Sequence, residues 1–202
     1  MSMITPHSSQ KIQQAGLDRK AKVLIVFAAV CGVFGATLVT LRIFGLIYPF
    51  YIPTGSMSPA VSPGDHVIME GLTFLERKPH RGDVVAFKSD GIVSLQSATI
   101  YDKRIVGEPG EHLRISEGKL YINDVRVVIT NGAGEISYPL TEQLKSFDPK
   151  TDVTVPEGQY FVIGDNSTNS FDSRFWGCLP AKNIMGRIWF CYWPPQRIGK
   201  VR

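Results

Sequence analysis

The sequence predicts a mostly β protein, an antiparallel β-rich domain preceded by a single N-terminal transmembrane helix. Three observations lead there. Residues 23–41 form one uncharged apolar run in a chain of 202 residues. Beyond it, short runs rich in Val, Ile, Phe and Tyr are broken by Gly/Pro turns. Helical periodicity is almost absent from that second part. Hydrophobic content of 44% and charged content of 20% are globular values and exclude disorder as a whole-chain description.

Taken in order, residues 1–22 are a polar tail with Lys11, Arg19, Lys20 and Lys22 against one acid, Asp18. Residues 23–41 follow, long enough at about 1.5 Å rise per residue to cross an apolar bilayer core of about 30 Å. The run is longer than a cleaved leader's apolar core and lacks the polar face of a soluble helix, so it reads as a retained anchor. On its far side Arg42 is the only basic residue before Arg77. The positive-inside rule therefore keeps the tail cytoplasmic and sends residues 42–202 outside, with Tyr48, Phe50 and Tyr51 at headgroup level.

The outer part reads as strands at His66-Val67-Ile68-Met69, Val84-Val85-Ala86-Phe87, Ile105-Val106, Leu113-Arg114-Ile115 and Leu120-Tyr121-Ile122. Val153-Thr154-Val155, Tyr160-Phe161-Val162-Ile163 and Gly186-Arg187-Ile188-Trp189-Phe190 continue the pattern. Residues 130–150 read as an insertion or long loop, and there are no repeats. A net charge of +4 without a basic stripe interleaved with aromatics argues against nucleic acid. No CxxC or HExxH spacing suggests a metal, and no cofactor is implied. Cys31 lies in the apolar run; Cys178 and Cys191 are either a disulfide in an oxidising compartment or two packed thiols.

Three stretches carry chemistry. In Ile52-Pro53-Thr54-Gly55-Ser56-Met57-Ser58-Pro59, prolines fix the chain on both sides and Gly55 frees the backbone before Ser56. Such a turn presents a hydroxyl with a peptide N–H beside it, as a nucleophile with an oxyanion hole requires. In Tyr101-Asp102-Lys103-Arg104-Ile105-Val106, strand alternation puts Lys103 on the face of Ile105. An ammonium on an apolar face tends to lose its proton, which makes a lysine a general base near neutral pH. The run from Gly164 to Gly177 is dense in short polar side chains that build rigid loops, with Asp172 and Arg174 spaced to pair and Ser170 placed to orient another group.

At these stretches the chain resembles the type I signal peptidases, membrane-bound serine–lysine endopeptidases that remove signal peptides from exported proteins. The matching segments are Pro53 to Pro59, Pro63-Gly64-Asp65 through Met69, Arg81-Gly82-Asp83-Val84-Val85, Lys103-Arg104-Ile105-Val106-Gly107 with Pro109-Gly110, and Gly164-Asp165-Asn166 through Trp176-Gly177. The resemblance implies Ser56 as nucleophile, Lys103 as general base, the Ser56 N–H and Thr54 hydroxyl as oxyanion hole, and Ser170 as the group orienting Lys103. Asp165, Asp172 and Arg174 would support the site. It also implies a β-rich catalytic domain on the outer side of the inner (plasma) membrane, to whose bilayer Trp189, Tyr192 and Trp193 present a hydrophobic surface. The implied partners are signal-peptide-bearing precursors, bound extended and cut after small residues.

The chain departs from the family pattern at three points. Asp102 stands near the substrate pocket where an apolar residue is usual, and either alters the pocket or pairs with Arg104. Ser167-Thr168 replaces a more commonly charged pair, and Glu108 an apolar residue. These departures leave room for a specialised maturation peptidase acting on pilin-like or conjugation proteins. A reading from another class is an inactive β module that binds extended peptides, against which the joint presence of Ser56, Lys103 and Thr54 speaks. A Ser-His-Asp enzyme would need His66 or His112, and neither has a motif around it.

Overall fold

A computed structural model describes residues 6–146 and 148–202, the side chains of residues 6–18, 143 and 145 excepted. Residues 1–5 of the basic tail, and the side chains of Lys11 and Asp18, therefore lie outside the described residues. The chain divides into two compact units, Met1–Phe44 and Gly45–Arg202.

The first unit holds α1 (Pro6–Ile43), whose stretch Arg19–Ile43 is long and apolar enough to span a membrane. The helix thus runs past the apolar run at both ends. Val23, Phe27 and Val33 are 64%, 66% and 69% exposed, so the apolar surface has no protein core to enter and fits a transmembrane anchor. The hydroxyls in it bond back along the helix, Thr37 Oγ1 to the Val33 carbonyl and Thr40 Oγ1 to the Ala36 carbonyl, each at 2.9 Å. No polar group there needs water.

The second unit is built from strands β1 (Ile47–Tyr51), β2 (His66–Glu70), β3 (Val84–Lys88), β4 (Ile100–Gly107), β5 (His112–Ser116), β6 (Lys119–Ile122) and β7 (Val125–Val127). β8 (Thr130–Asn131), β9 (Gly134–Glu135), β10 (Asp152–Thr154), β11 (Gln159–Ile163), β12 (Leu179–Pro180), β13 (Ile184–Trp193) and β14 (Gly199–Lys200) complete it. Three short helices intervene: α2 (Thr73–Glu76), α3 (Glu142–Lys145) and α4 (Ser173–Trp176). The main sheet runs β1-β2-β13-β3-β4-β11-β12, with β14 on β13, and β10-β5-β6-β7 form a second sheet; every pairing is antiparallel.

β3 is the middle of the main sheet, and its unbroken apolar run Val84-Val85-Ala86-Phe87 is what a strand buried on both faces requires. Val84 and Ala86 pack on one side with Ile52, Met57, Val67, Met69 and Ile188. Val85 and Phe87 pack on the other with Ile105, Val162 and Leu179. A third cluster, with Leu113, Leu120, Phe161 and Ile163, joins the two sheets.

One expectation changes, and one open alternative is decided. Residues 130–150 are more than a loop: β8 and β9 form a hairpin, and Ile136 and Tyr138 behind it are 5% and 2% exposed in the cluster that joins the sheets. Cys178 and Cys191 are both free, the first half-buried against that joining cluster and the second buried in the cluster under β3, so no disulfide forms.

Gly186 marks the closest approach of β13 to β2. A Cβ there would collide with the Met69 sulfur and with the Glu70 carbonyl, which is backbone and has nowhere to go. Gly186→Ala is expected to destabilise the outer unit by about 1–3 kcal/mol, the usual cost of overpacking. Thermal or denaturant unfolding of the detergent-solubilised protein measures it, and an unchanged midpoint would contradict this packing.

Candidate active site

The turn that presents Ser56 is held from below and behind. Ile52 and Met57, 1% and 0% exposed, plug its two ends into the core beneath β3. The Ile52 N–H donates to the Asp65 carbonyl, and the Gly64 N–H donates back to the Ile52 carbonyl. Asp65 is fixed in turn by Arg197, whose Nε lies 2.7 Å from Oδ1. Between these anchors the chain closes tightly, with the Ser58 N–H on the Gly55 carbonyl, and Ser56 sits at the tip.

β4 supplies the partner. Lys103 pairs with Val85 of β3 and is 4% exposed, on the face of β4 that also buries Ile105. Its Nζ lies 2.9 Å from Ser56 Oγ and 2.8 Å from the Asp102 carbonyl oxygen. Burial pushes the lysine's proton affinity down, against the opposing pull of Asp102, Asp172 and Asp165. A neutral amine that donates to the carbonyl keeps its lone pair for the serine hydroxyl. This is the arrangement in which an amine takes a hydroxyl proton.

The third segment fastens the first. The Asn166 N–H donates to the Ser56 carbonyl at 3.0 Å, and Asn166 Nδ2 donates to the Gly55 carbonyl at 3.1 Å. Gly164 makes this approach possible, since a Cβ on it would strike Ser170 Oγ and the Ser56 carbonyl oxygen. Two buried ion pairs stiffen the loop. Arg104 grips Asp165 through Nε and Nη2, both at 2.7 Å, and Arg174 grips Asp172 at 2.8 and 2.9 Å. Asp172 also caps α4 and accepts from the Gly164 N–H, and Arg174 Nη2 donates to the Ser167 carbonyl.

Ser56 and Lys103 open onto a cleft of about 710 Å³. Thr54, Ser170 and Asp102 line it too, as do the apolar side chains of Leu95, Ile100 and the stacked pair Phe171 and Phe175. Thr54 is exposed beside Ser56, while Ser170 Oγ is buried and has no hydrogen-bond partner among the described residues. Among the described residues no group accepts from the Ser56 N–H. Asp165, Asp172 and Arg174 stand behind the cleft. His66 packs between the rings of Tyr51 and Tyr192, and His112 holds Asp152 at 2.7 Å; neither lines the cleft.

The departures from the family pattern have local accounts. Arg104 is taken by Asp165, so it does not pair with Asp102. Ser167 fastens its loop by donating to the Ser137 carbonyl at 2.8 Å, a neutral anchor. Glu108 accepts from the Arg81 N–H at 2.7 Å and stiffens the turn after β4. Sequence reasoning assigned no role to Asn166, Gly164, Phe171 or Phe175. The signal available was the Gly-Asp-Asn triplet and two aromatics inside an otherwise polar loop.

The family model described as "Signal peptidase, peptidase S26" matches residues 21–193. The chain is 37% identical over 159 residues to a probable thylakoidal processing peptidase 2 of Arabidopsis thaliana, covering 77% of this chain and 41% of that one. It is 34% identical to a probable signal peptidase I-2 of Synechocystis, covering 74% and 64% of the two chains. With signal peptidase I of Leptolyngbya laminosa the identity is 32%, covering 75% and 71%. The chain spans 41% to 64% of the length of the first three curated relatives it matches. A β-rich unit that buries a serine against a lysine in an open cleft thus falls among the peptidases. The chain belongs to the signal peptidase family, peptidase S26.

A lysine whose proton affinity is lowered by burial carries a stability cost with a definite sign. Below the ordinary lysine pKa of about 10.4 the unfolded chain holds a proton on residue 103 that the folded chain resists, so unfolding takes up protons and stability rises with pH. Lys103→Met removes that linkage. The variant is expected to melt higher than wild type at neutral pH, with the gap closing as pH climbs toward about 10.4. Thermal melts across that range test it, and a gap that is absent or constant would argue for a protonated, solvated lysine.

Proposed function

We propose that this chain removes N-terminal signal peptides from exported precursor proteins by serine–lysine endoproteolysis, cutting after small residues at the outer face of the membrane. The observation that carries the reading is the 2.9 Å approach of a buried Lys103 amine to Ser56 Oγ in an open cleft. Neutral Lys103 takes the Ser56 proton as Oγ attacks the scissile carbonyl. The resulting oxyanion is met by the Ser56 N–H and the Thr54 hydroxyl, donors of a kind worth about 10²–10³ in rate each. Protonated Lys103 then gives its proton to the leaving amine. A water attacks the ester as Lys103 takes its proton; Lys103 then passes that proton to Ser56 Oγ as the acyl bond breaks, which restores the serine and releases the acid product. Ser170 Oγ makes no hydrogen bond to the amine in this structure, but it is buried on the same cleft wall with its bonding capacity unused. It takes the orienting role when it turns to Lys103, while Asp165, Asp172 and Arg174 hold the loop that carries it.

The substrate's path is supported by an unused strand edge. β11 pairs with β4 only from Arg104 to Gly107, so among the described residues no strand covers that edge over residues 100–103, which line the cleft. An extended peptide adds there as a strand and delivers its carbonyl to Ser56. Side chains next to the cut face Ser56 and its walls closely, which favours small ones. The signal peptidase names of its relatives support this general role over a maturation peptidase for pilin-like or conjugation substrates.

In the same reading residues 1–22 are cytoplasmic, 23–41 anchor the chain, and 42–202 form the extracytoplasmic peptidase at the inner (plasma) membrane. Exposed Tyr51, Tyr192 and Trp193, which cluster around His66, offer a surface to the lipid headgroups. Protease added outside spheroplasts is expected to digest residues beyond 50 while sparing an N-terminal tag; the opposite protection pattern would invert the topology.

The dyad itself is tested by Lys103→Arg, which keeps the charge but holds its proton at any workable pH. The folded variant is expected to lose precursor cleavage by several orders of magnitude, about as much as Ser56→Ala, because the two groups act as one unit. Wild-type activity is expected to fall toward acid pH as Lys103 takes up its proton, with the limb below the ordinary lysine range because burial lowers its affinity. Near wild-type cleavage by folded Lys103→Arg would refute the assignment.

A further inference from the structure

Besides the reactive pair, the cleft wall holds apolar side chains, short hydroxyls and amides, and one carboxyl, that of Asp102 on β4. Every cation near it is committed elsewhere. Arg104 holds Asp165, Arg174 holds Asp172, and Lys103 reaches Ser56 Oγ and the Asp102 backbone carbonyl. Asp102 Oδ2 is closed off from solvent and has no hydrogen-bond partner among the described residues, although the residue as a whole is partly open to the cleft. A buried polar atom without a partner is costly, and a donor that arrives with the substrate removes that cost.

The chemistry of the missing donor follows from the surroundings. Burial pushes the Asp102 carboxyl's proton affinity up, as it pushes that of Lys103 down. A carboxyl under that pressure is a poor seat for a second cation, whereas a hydroxyl can donate to its ionised form and both donate to and accept from its protonated form. Position narrows the choice further. A peptide added along residues 100–103 advances about 3.3 Å per residue, and Asp102 is one residue from Lys103. Its carboxyl therefore stands within reach of the last three residues before the cut, where small side chains fit.

Resting on the peptidase reading above, we propose that Asp102 is a specificity residue whose carboxyl hydrogen-bonds a serine or threonine side chain at one of the three positions preceding the cut. An apolar wall at this point would make alanine the equal of serine; the carboxyl makes the hydroxyl preferred. Sites built to bond a hydroxyl discriminate strongly against analogues lacking it.

The test uses the full detergent-solubilised chain and precursors with alanine at all three positions before the cut, changed to Ser, Thr or Lys one position at a time. The readout is kcat/KM for each precursor relative to the all-alanine one, a ratio taken within one enzyme that a partial folding defect does not move. At one position wild type is expected to favour Ser or Thr by about tenfold. Asp102→Leu is expected to bring that ratio to about one, and Asp102→Asn, neutral with a donor and an acceptor, to retain most of it. A wild-type enzyme that cuts the alanine precursor without any hydroxyl preference overturns the inference alone. So does a preference left intact in Asp102→Leu, or a preference for Lys. Folded wild type that cuts none of the precursors overturns the peptidase reading, and the inference with it.

Discussion

The constraint on which the site depends is an amine buried close to carboxylates. Burial lowers the proton affinity of Lys103 and outweighs the attraction of Asp102, Asp172 and Asp165 for a proton on its nitrogen. The neighbouring carboxylates are managed one by one. Asp165 is bound by Arg104 and Asp172 by Arg174, each in a two-pronged, fully buried pair, so their charge is spent locally. Asp102 is raised toward its neutral form by the same burial that lowers the lysine. Removing one guanidinium would leave a buried carboxylate unpaired, and the lysine would be the nearest group to answer it.

The fold supplies this environment with a sheet buried on both faces. β3 separates two apolar clusters, and β4 beside it turns Lys103 toward the serine while turning Arg104 toward Asp165. Ser56 reaches the lysine because Ile52 and Met57 are locked in the core on either side of it. Rigid anchors flanking a tight turn keep the hydroxyl at hydrogen-bond distance without a hydrogen bond from the serine side chain to its own loop.

What the sequence disclosed was mostly local. The strands showed as apolar runs between turns, and Lys103 stood out because strand alternation put it on the face of Ile105. The pairing of Asp172 with Arg174 was legible because only Ser173 separates them. Arg104 with Asp165 was not, since the two stand 61 positions apart and the closing of β4 against β11 brings them together. Residues 130–150 read as a loop because Gly and Asn dominate their start, yet the alternation Ile136-Ser137-Tyr138 sends two large side chains into the core. Asn166 carries no titratable group, and its part in fixing the Ser56 carbonyl depends on a contact that only three dimensions supply.

The tether from Asn166 to Gly55 spans 111 residues of chain. Ser56 comes early, Lys103 later and Asn166, which fixes the backbone of residues 55 and 56, later still. A chain leaving the ribosome carries Ser56 first, with Lys103 following 47 positions later and Asn166 110 positions later. On the proposed function, competence to cut is therefore a property of the finished sheet, and a half-made copy offers a peptide no assembled pair.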